Sequence, residues 1–289
     1  IGTDAFQEVD MVGITRHCVK HNFLVKQVDG LANTIKKAFY LARTGRPGPV
    51  IIDVAKDVTQ ALHKFCYPQE QPFIRSYQPV IHAHKGQIKK AVQLFALAKR
   101  PVVFFGGGIV LANAEEELRR WIQLTGVPCV SSLMGLGAYS ASHPQFLGMV
   151  GMHGTYEANM AMQQADMVLA LGVRFDDRVI SVPEKYLATA KKIIHIDIDP
   201  SSIAKRVPVN VPIVGDIKLA LQAMTYQWEE KRLILDHKGL QCWWECIEQW
   251  RSFKSLNYSD DEQIIKPQYV IKSLAQLTQN RAYIASDVG

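Results

Sequence analysis

Three short segments carry the groups that a nucleotide needs. Gly106-Gly107-Gly108 offers backbone with no side chains. Gly172-Val173-Arg174-Phe175-Asp176-Asp177-Arg178 offers two guanidinium groups and two carboxylates. His195-Ile196-Asp197-Ile198-Asp199-Pro200 offers an imidazole and two further carboxylates. Each segment begins where an apolar, strand-like run ends. In a parallel α/β sheet the carboxyl ends of successive strands converge on one crevice, so segments far apart in sequence would line a single site.

The chemistry of each segment follows from its residue types. Without Cβ atoms, Gly106, Gly107 and Gly108 let a phosphate or sugar approach the backbone and receive its amide hydrogens, although a tight turn would use the same residues. Arg174 and Arg178 are suited to a pyrophosphate because guanidinium presents paired donors, and Asp176 or Asp177 could orient them. The competing reading is a surface ion-pair cluster of little energetic weight. His195, Asp197 and Asp199 alternate with isoleucines, which puts the polar three on one face of a strand. A central parallel strand is normally apolar throughout, so carboxylates at its end point to ribose or base contacts; an edge strand with one wet face is the alternative. Met149-Val150-Gly151-Met152-His153-Gly154-Thr155 sets two methionines and a histidine among glycines. Such groups can flank a flat ring, and Thr155 can cap the next helix.

No nucleophile elbow, HExxH, EF-hand loop or Walker A motif is present, and no residues are assigned to a metal. Glu157 has no identifiable partner that would raise its pKa. The residues therefore describe a cofactor cradle, with NAD and FAD both open.

The elements that would position this cradle alternate along the chain. Asp29 is placed to cap a helix from Leu31 to Arg43 with Leu31, Ile35, Ala38 and Ala42 on its apolar face and Gly45 closing it. Pro47 and Pro49 precede the buried-strand pattern Val50–Val54. Residues 1–60 thus read as the tail of an α/β domain, and the proline- and tyrosine-rich residues 61–84 as a linker. From Lys85, helices containing Ile88, Ala91, Val92 and Phe95, then 115–124 and 156–164, alternate with strands 101–105, 127–131, 146–150, 167–171, 192–197 and 211–214. That rhythm predicts a doubly wound parallel sheet in a central domain, 85–228. Residues 229–266 read as a helical connector with Trp243, Cys246, Ile247 and Trp250 at helical spacing. Residues 267–289 begin a further α/β unit, with Tyr269, Val270, Leu274 and Leu277 on one helical face and a strand-like end, 282–289. The first residue is Ile and that last strand has no successor, which is the pattern of a fragment of a longer chain.

Composition narrows the class. The chain has 289 residues, 48% of them hydrophobic, enough for one large domain or two ordinary ones. The formal net charge is +6, but the longest basic runs are pairs such as Lys36-Lys37, Lys89-Lys90 and Lys191-Lys192. A nucleic-acid binder would show a basic stripe, so no nucleic-acid partner is expected. The five cysteines form no CxxC, and Cys242 and Cys246 lack nearby histidines to complete a zinc set; free thiols in a reducing compartment are expected. No run reaches the roughly 20 apolar residues of a membrane span and no signal peptide opens the chain, so a cytoplasmic protein is expected.

Seven segments, in order, resemble one family. They are Ile1-Gly2-Thr3-Asp4-Ala5-Phe6-Gln7-Glu8, Lys20-His21-Asn22, Gly45-Arg46-Pro47-Gly48-Pro49-Val50, Ser132-Leu133-Met134-Gly135-Leu136-Gly137, Gly151-Met152-His153-Gly154-Thr155, and the segments 172–178 and 195–200. Together they resemble the large catalytic subunit of the acetohydroxyacid synthase (acetolactate synthase) family, bacterial type, over almost the whole chain. The resemblance implies a thiamine-diphosphate and Mg2+ enzyme with FAD in its central domain. It would condense pyruvate with pyruvate or 2-ketobutyrate, releasing CO2, in branched-chain amino-acid synthesis. Residues 1–60 would end the pyrimidine-binding domain, 85–228 would be the FAD-binding domain, and 267–289 would open the pyrophosphate-binding domain. The implied partners are further large subunits, in a dimer or tetramer, and a small regulatory subunit.

Carried over by position, the FAD contacts would be Phe6, Arg46, Gly106, Gly107, Gly108, Ser132, Leu133 and Met134, with Val150, Gly151, Met152 and His153 at the flavin ring. Gly172, Val173, Arg174, Asp176, Arg178 and Val179 would hold the middle of the cofactor. Asp197, Ile198, Asp199, Asp216 and Ile217 would hold its adenosine end. Gln7 and Lys56, and also Asp177, resemble residues at the mouth of the active site. Two departures stand out: Ser202 occupies a position where many relatives carry Glu, and Ala55 replaces a proline before Lys-Asp. The activating glutamate and the metal- and diphosphate-binding motif of the family have no counterpart in this chain, which should be inactive alone. A pyruvate oxidase or glyoxylate carboligase with the same cradle, or a non-catalytic nucleotide-binding module, are the alternatives; Gln7 and Lys56 weigh against the oxidase.

Overall fold

The computed structural model describes residues 1–261 and 263–285. Its centre is a six-stranded parallel sheet built from β3 (Pro101–Phe105), β4 (Cys129–Ser131), β5 (Phe146–Met149), β6 (Met167–Leu171), β7 (Lys192–Asp197) and β8 (Val211–Val214), in the order β5-β4-β3-β6-β7-β8. The chain winds outward from β3 to β5, returns to β6 beside β3, and winds outward again to β8. The order reverses between β3 and β6, the switch point at which a doubly wound sheet opens a crevice. A separate parallel pair is formed by β1 (His21–Val25) and β2 (Val50–Val54), in register from His21 with Val50 to Val25 with Val54. Residues 61–84 contain no helix or strand.

Each strand feeds both faces of the large sheet because successive side chains point to opposite sides. Val103, Phe105, Leu169, Leu171, Ile194 and Ile196 pack under the helices Lys85–Phe95, Glu115–Thr125 and Ile217–Glu230. Val102, Phe104, Val168, Ala170 and Ile193 pack on the other face with residues of helices Tyr156–Gln164 and His237–Arg251. All five residues of β3 and of β6 are buried, which accounts for their unbroken apolar sequences.

The helix expected as a connector covers part of that second face. The Trp243 indole donates to the Pro101 carbonyl at 3.0 Å and the Trp244 indole to the Gly126 carbonyl at 3.0 Å. Ile247 is buried and Cys246 is exposed, so the apolar stripe runs through the tryptophans and not through the thiol. Three further expectations differ from the structure. Gly30, not Asp29, precedes the helix Leu31–Arg43, and Asp29 lies in a short 3-10 turn Val28–Gly30. On that helix Ala38 and Leu41 are buried while Ile35 faces outward. The sheet has only two strands there, so the helix buries a narrow stripe. Of the strand-like end, residues 282–285 carry no strand and 286–289 lie outside the described residues. The helix Pro267–Thr278 forms as expected but buries none of its residues.

Three aromatic rings hold one helical layer together. The Trp121 ring lies 5.4 Å from Phe95 and 5.4 Å from Trp228, each on a different helix. The Trp121 N–H has no acceptor among the described residues, so the ring contributes by packing alone. Trp121→Ala should destabilise the fold by about 3–5 kcal/mol in urea denaturation. Trp121→Phe, which removes the orphan N–H and keeps much of the ring, should cost less than half as much. Equal losses would show that the indole nitrogen is satisfied after all.

Candidate functional site

Two strand ends in the site approach each other closely. Gly106 donates to the Leu171 carbonyl at 3.0 Å and Gly108 to the Gly172 carbonyl at 3.3 Å, joining the exits of β3 and β6. A Cβ on Gly108 would lie 2.5 Å from the Gly172 Cα, and one on Gly106 would lie 2.6 Å from the Gly172 oxygen. Gly172 also needs a left-handed backbone, φ +58°. The bare backbone at these positions is thus used first to bring two strands' exits together at the switch point. Gly107 faces Met134 of the β4 exit, where its Cβ would meet the Met134 Cβ at 3.1 Å.

The other strand ends deliver further expected residues to the same edge of the sheet. Ser132, Leu133 and Met134 follow β4, with Leu133 67% and Met134 73% exposed. Val150, Gly151, Met152 and His153 follow β5. Val150 is buried, Met152 is exposed, and His153 is exposed. Gly172–Val179 follow β6, Ile198 and Asp199 follow Asp197 at the end of β7, and Asp216 and Ile217 follow β8. The β5 and β6 exits touch: the Met152 amide donates to the Arg178 carbonyl at 3.3 Å, and a Cβ on Gly151 would lie 2.5 Å from that oxygen.

Two local devices shape these loops. Thr155 caps the helix Tyr156–Gln164 by accepting from Ala158, as its position predicts. Asn159, which no sequence feature singled out, clamps Gly151 from both sides. Its Oδ1 accepts from the Gly151 amide at 2.8 Å and its Nδ2 donates to the Gly151 carbonyl at 2.9 Å. In the β6 exit, Phe175 takes a left-handed backbone, φ +50°, and turns its ring into the core against Phe104 and His195. Arg174 remains exposed and pairs with Asp176 at 3.4 Å. The second Asp176 oxygen is buried with no partner among the described residues. Asp216 caps the helix Ile217–Glu230, its carboxylate accepting from Leu219 at 3.0 Å.

The β7 end is not an edge. It lies between β6 and β8, and His195 and Asp197 are both buried. His195 Nε2 contacts the Val173 carbonyl at 2.9 Å while Nδ1 has no partner among the described residues. Burial brings its pKa down to about 4, against the opposing pull of the Val173 carbonyl. The ring is therefore neutral at neutral pH, and its 3.9 Å approach to Asp197 is no ion pair. Burial pushes Asp197 up to about 6, opposed by the Asp199 amide, which donates to it at 2.8 Å. Burial also works upward on Asp199, but hydrogen bonds from Ser201 and Arg46 outweigh it and hold this carboxyl below its ordinary range. Ser202, half of the departure noted in the sequence, is buried and places its hydroxyl 3.4 Å from the same carboxylate. Arg46 reaches Asp199 from the β1–β2 unit at 3.4 Å.

Three expected residues stand apart from this edge. Phe6 is 93% exposed and Gln7 lies in the same exposed N-terminal stretch. Lys56 begins a short helix after β2 and lines a cavity of about 540 Å³ with Ile1, Lys26, Ala55, Asp57 and Gln60. No residue of the six strand exits lines that cavity.

Comparison with known proteins agrees with this architecture. Residues 88–224 match the family described as "Thiamine pyrophosphate enzyme, central domain". The whole chain is 50% identical to the acetolactate synthase large subunit of Haemophilus influenzae and 49% identical to the acetolactate synthase isozyme 3 large subunit of Escherichia coli, covering 50% of each. It is 42% identical to the acetolactate synthase of Mycobacterium leprae, covering 46% of that protein. The chain spans about half the length of the curated relatives it matches.

The buried carboxylate at the β7 end makes a test possible. Because its folded pKa is raised, the contribution of Asp197 to stability is present at low pH and is lost as pH rises through about 6. Asp197→Asn should therefore be more stable than the parent at pH 8 by about 1–3 kcal/mol, a gap that closes toward pH 4. The opposing titration of His195 is common to both proteins and cancels. Urea denaturation at the two pH values measures the gap, and a gap independent of pH would refute the assignment.

Proposed function

We propose, from the membership of this chain in the acetolactate synthase large-subunit family, that it is the FAD-carrying portion of a thiamine-diphosphate-dependent acetolactate synthase. The observation that carries the reading is that six parallel strands end along one edge, on the two sides of the switch point. Their exits combine small backbone, guanidinium and carboxylate in the order an extended dinucleotide requires. The residues fit such a group. Arg174 and Arg178 supply paired donors for a pyrophosphate, Asp197 holds a buried acceptor suited to a ribose hydroxyl, and Leu133, Met134 and Met152 offer exposed apolar surface for a flat ring. The orphaned Asp176 oxygen and His195 Nδ1 are polar atoms that a ligand or water could complete.

The reaction proposed is condensation of pyruvate with pyruvate or 2-ketobutyrate, with loss of CO2, in branched-chain amino-acid synthesis. Thiamine diphosphate would supply the carbanion chemistry, with Mg2+ holding its diphosphate. No residue of this chain is assigned to Mg2+. The contribution of this chain would be to hold FAD rigidly and, through Gln7 and Lys56, to line the mouth by which substrate enters. Lys56 shares its cavity with Lys26, and two ammonium groups there would attract the carboxylate of a 2-keto acid.

The printed names of the relatives, "large subunit", support assembly into a homodimer or tetramer with a small regulatory subunit. No helix among the described residues is long and apolar enough to cross a membrane, and the five cysteines are free, which supports a cytoplasmic location. None of the relatives named above carries an oxidase or carboligase name.

Acid release of the nucleotide from the purified protein should yield FAD and not NAD. Arg174→Ala should raise the FAD Kd about tenfold, the scale of one lost charge-assisted contact to phosphate. The complete enzyme containing this chain should form acetolactate from pyruvate when given thiamine diphosphate, Mg2+ and FAD. Release of NAD, or no acetolactate with all three cofactors, would overturn the reading.

A further inference from the structure

Lys20, which none of the site assignments includes, gathers four oxygens around one ammonium. Nζ donates to the carbonyls of Leu41 at 2.6 Å, Thr44 at 2.6 Å and Arg46 at 3.0 Å, and to the Tyr77 hydroxyl at 2.8 Å. An ammonium has three protons, so the four oxygens share them and at least one N–H is divided between two acceptors. No carboxylate takes part. The charge is answered by carbonyls at the C-terminal end of helix Leu31–Arg43, where the helix dipole favours a cation.

The remainder of the cluster tightens the same turn. The Tyr77 hydroxyl itself donates to the Thr44 carbonyl at 2.6 Å, and its ring lies under the ammonium at 4.8 Å. The Thr44 hydroxyl donates to the Tyr40 carbonyl at 2.6 Å. Gly45 has φ +56°, and a Cβ there would strike the Tyr77 oxygen at 2.7 Å. The Lys20 amide donates to the Pro49 carbonyl at 2.8 Å, closing the other side of the turn. Residues 44–49 are thereby fixed between the β1–β2 unit and the irregular segment that holds Tyr77.

The Arg46 side chain leaves this turn and pairs with Asp199 at the β7 end, 153 residues away. That pair is partly exposed and its contact is long, so it has little energy of its own with which to hold the turn. The order of dependence runs from the lysine cluster to the turn, and from the turn to the guanidinium.

We propose that Lys20 is a positioning residue of the nucleotide site, acting through Arg46: it holds the 44–46 turn so that the guanidinium is delivered to the strand edge where Asp199 lies. This rests on the FAD reading above. A dinucleotide bound along the strand exits would meet Arg46 already oriented, and the site would weaken when the turn is released even though Lys20 touches no ligand.

The test is FAD affinity of the full chain, measured by titrating FAD into nucleotide-stripped protein. Lys20→Met should raise the Kd about tenfold, and Arg46→Ala by a similar factor. The double variant should be no weaker than Arg46→Ala alone, because the lysine acts only through the arginine. Lys20→Arg should not rescue, since a planar fork cannot place its donors on oxygens that converge on one point. A purely structural cap would lower urea stability and leave the Kd of the folded protein unchanged, and that result overturns the proposal, as would additive losses in the double variant. Should Lys20→Met fail to fold, Tyr77→Phe, which removes one tie, must still raise the Kd at least twofold; a parental Kd there overturns it. Failure of the unaltered protein to bind FAD at all would overturn the FAD reading, and this inference with it.

Discussion

The site depends on two backbones approaching more closely than any side chain would allow. The exits of β3 and β6 meet through Gly106, Gly108 and Gly172, and a single Cβ on Gly108 would stand 2.5 Å from the neighbouring Cα. Because β3 and β6 are the two central strands, this contact joins the two halves of the sheet at the switch point. It also sets the direction of everything that follows. The helix after Gly106 starts against the β4 exit, and the loop after Gly172 turns Phe175 inward so that Arg174 stays outward. Substitution at these glycines would act on geometry before it acted on any ligand contact.

Around that fixed point burial disfavours the charged forms of two polar groups. His195 is neutral with one ring nitrogen unpartnered, and Asp197 is a carboxyl held near its titration range by loss of water. Asp199, two residues on, is surrounded by donors and stays ionised below its ordinary range. Two adjacent acids of one strand end thus differ in role. Asp199 accepts from Ser201, Ser202 and Arg46, while Asp197 accepts from the Asp199 backbone amide. Perturbed groups gathered at strand ends, where a packed core would have used apolar residues, mark a candidate ligand site.

Much of this was legible because hydrophobic period and strand-end chemistry are local signals. The runs Pro101–Phe105, Met167–Leu171 and Lys192–Asp197 read as strands and are strands. Their glycine, arginine and carboxylate sequels sit at one edge because parallel topology places every carboxyl end there. What was not legible is tertiary. Asn159 is an ordinary helix residue until Gly151 is folded against it. Asp29 offered a capping side chain, yet a preceding 3-10 turn took the chain past it. His195 and Asp197 could equally have faced water on an edge strand, and only the placement of β8 beyond β7 buries them. Trp243 was read on a helical stripe with Cys246, Ile247 and Trp250, but neither its donation to the Pro101 carbonyl nor that of Trp244 to Gly126 is a local signal.

The contacts that join the two parts of the chain include directional ones. Arg46 crosses from the β1–β2 unit to Asp199, and the segment between the units adds its own link, the Asp216 amide donating to the Ile81 carbonyl at 2.8 Å. Gly215, beside it, would bring a Cβ to 2.9 Å from the Ala83 nitrogen, so the end of the linker lies against the β8 exit. Residues 61–84 are irregular in backbone but pinned at both ends, by Tyr77 to the Lys20 cluster and by Ile81 to the start of helix Ile217–Glu230. A long segment without helix or strand can be well placed when its polar backbone finds such partners, and this one carries the positional information that regular elements carry elsewhere. The strand exits supply the chemistry of the cradle, while the irregular segment determines how the arginine from the other unit meets it.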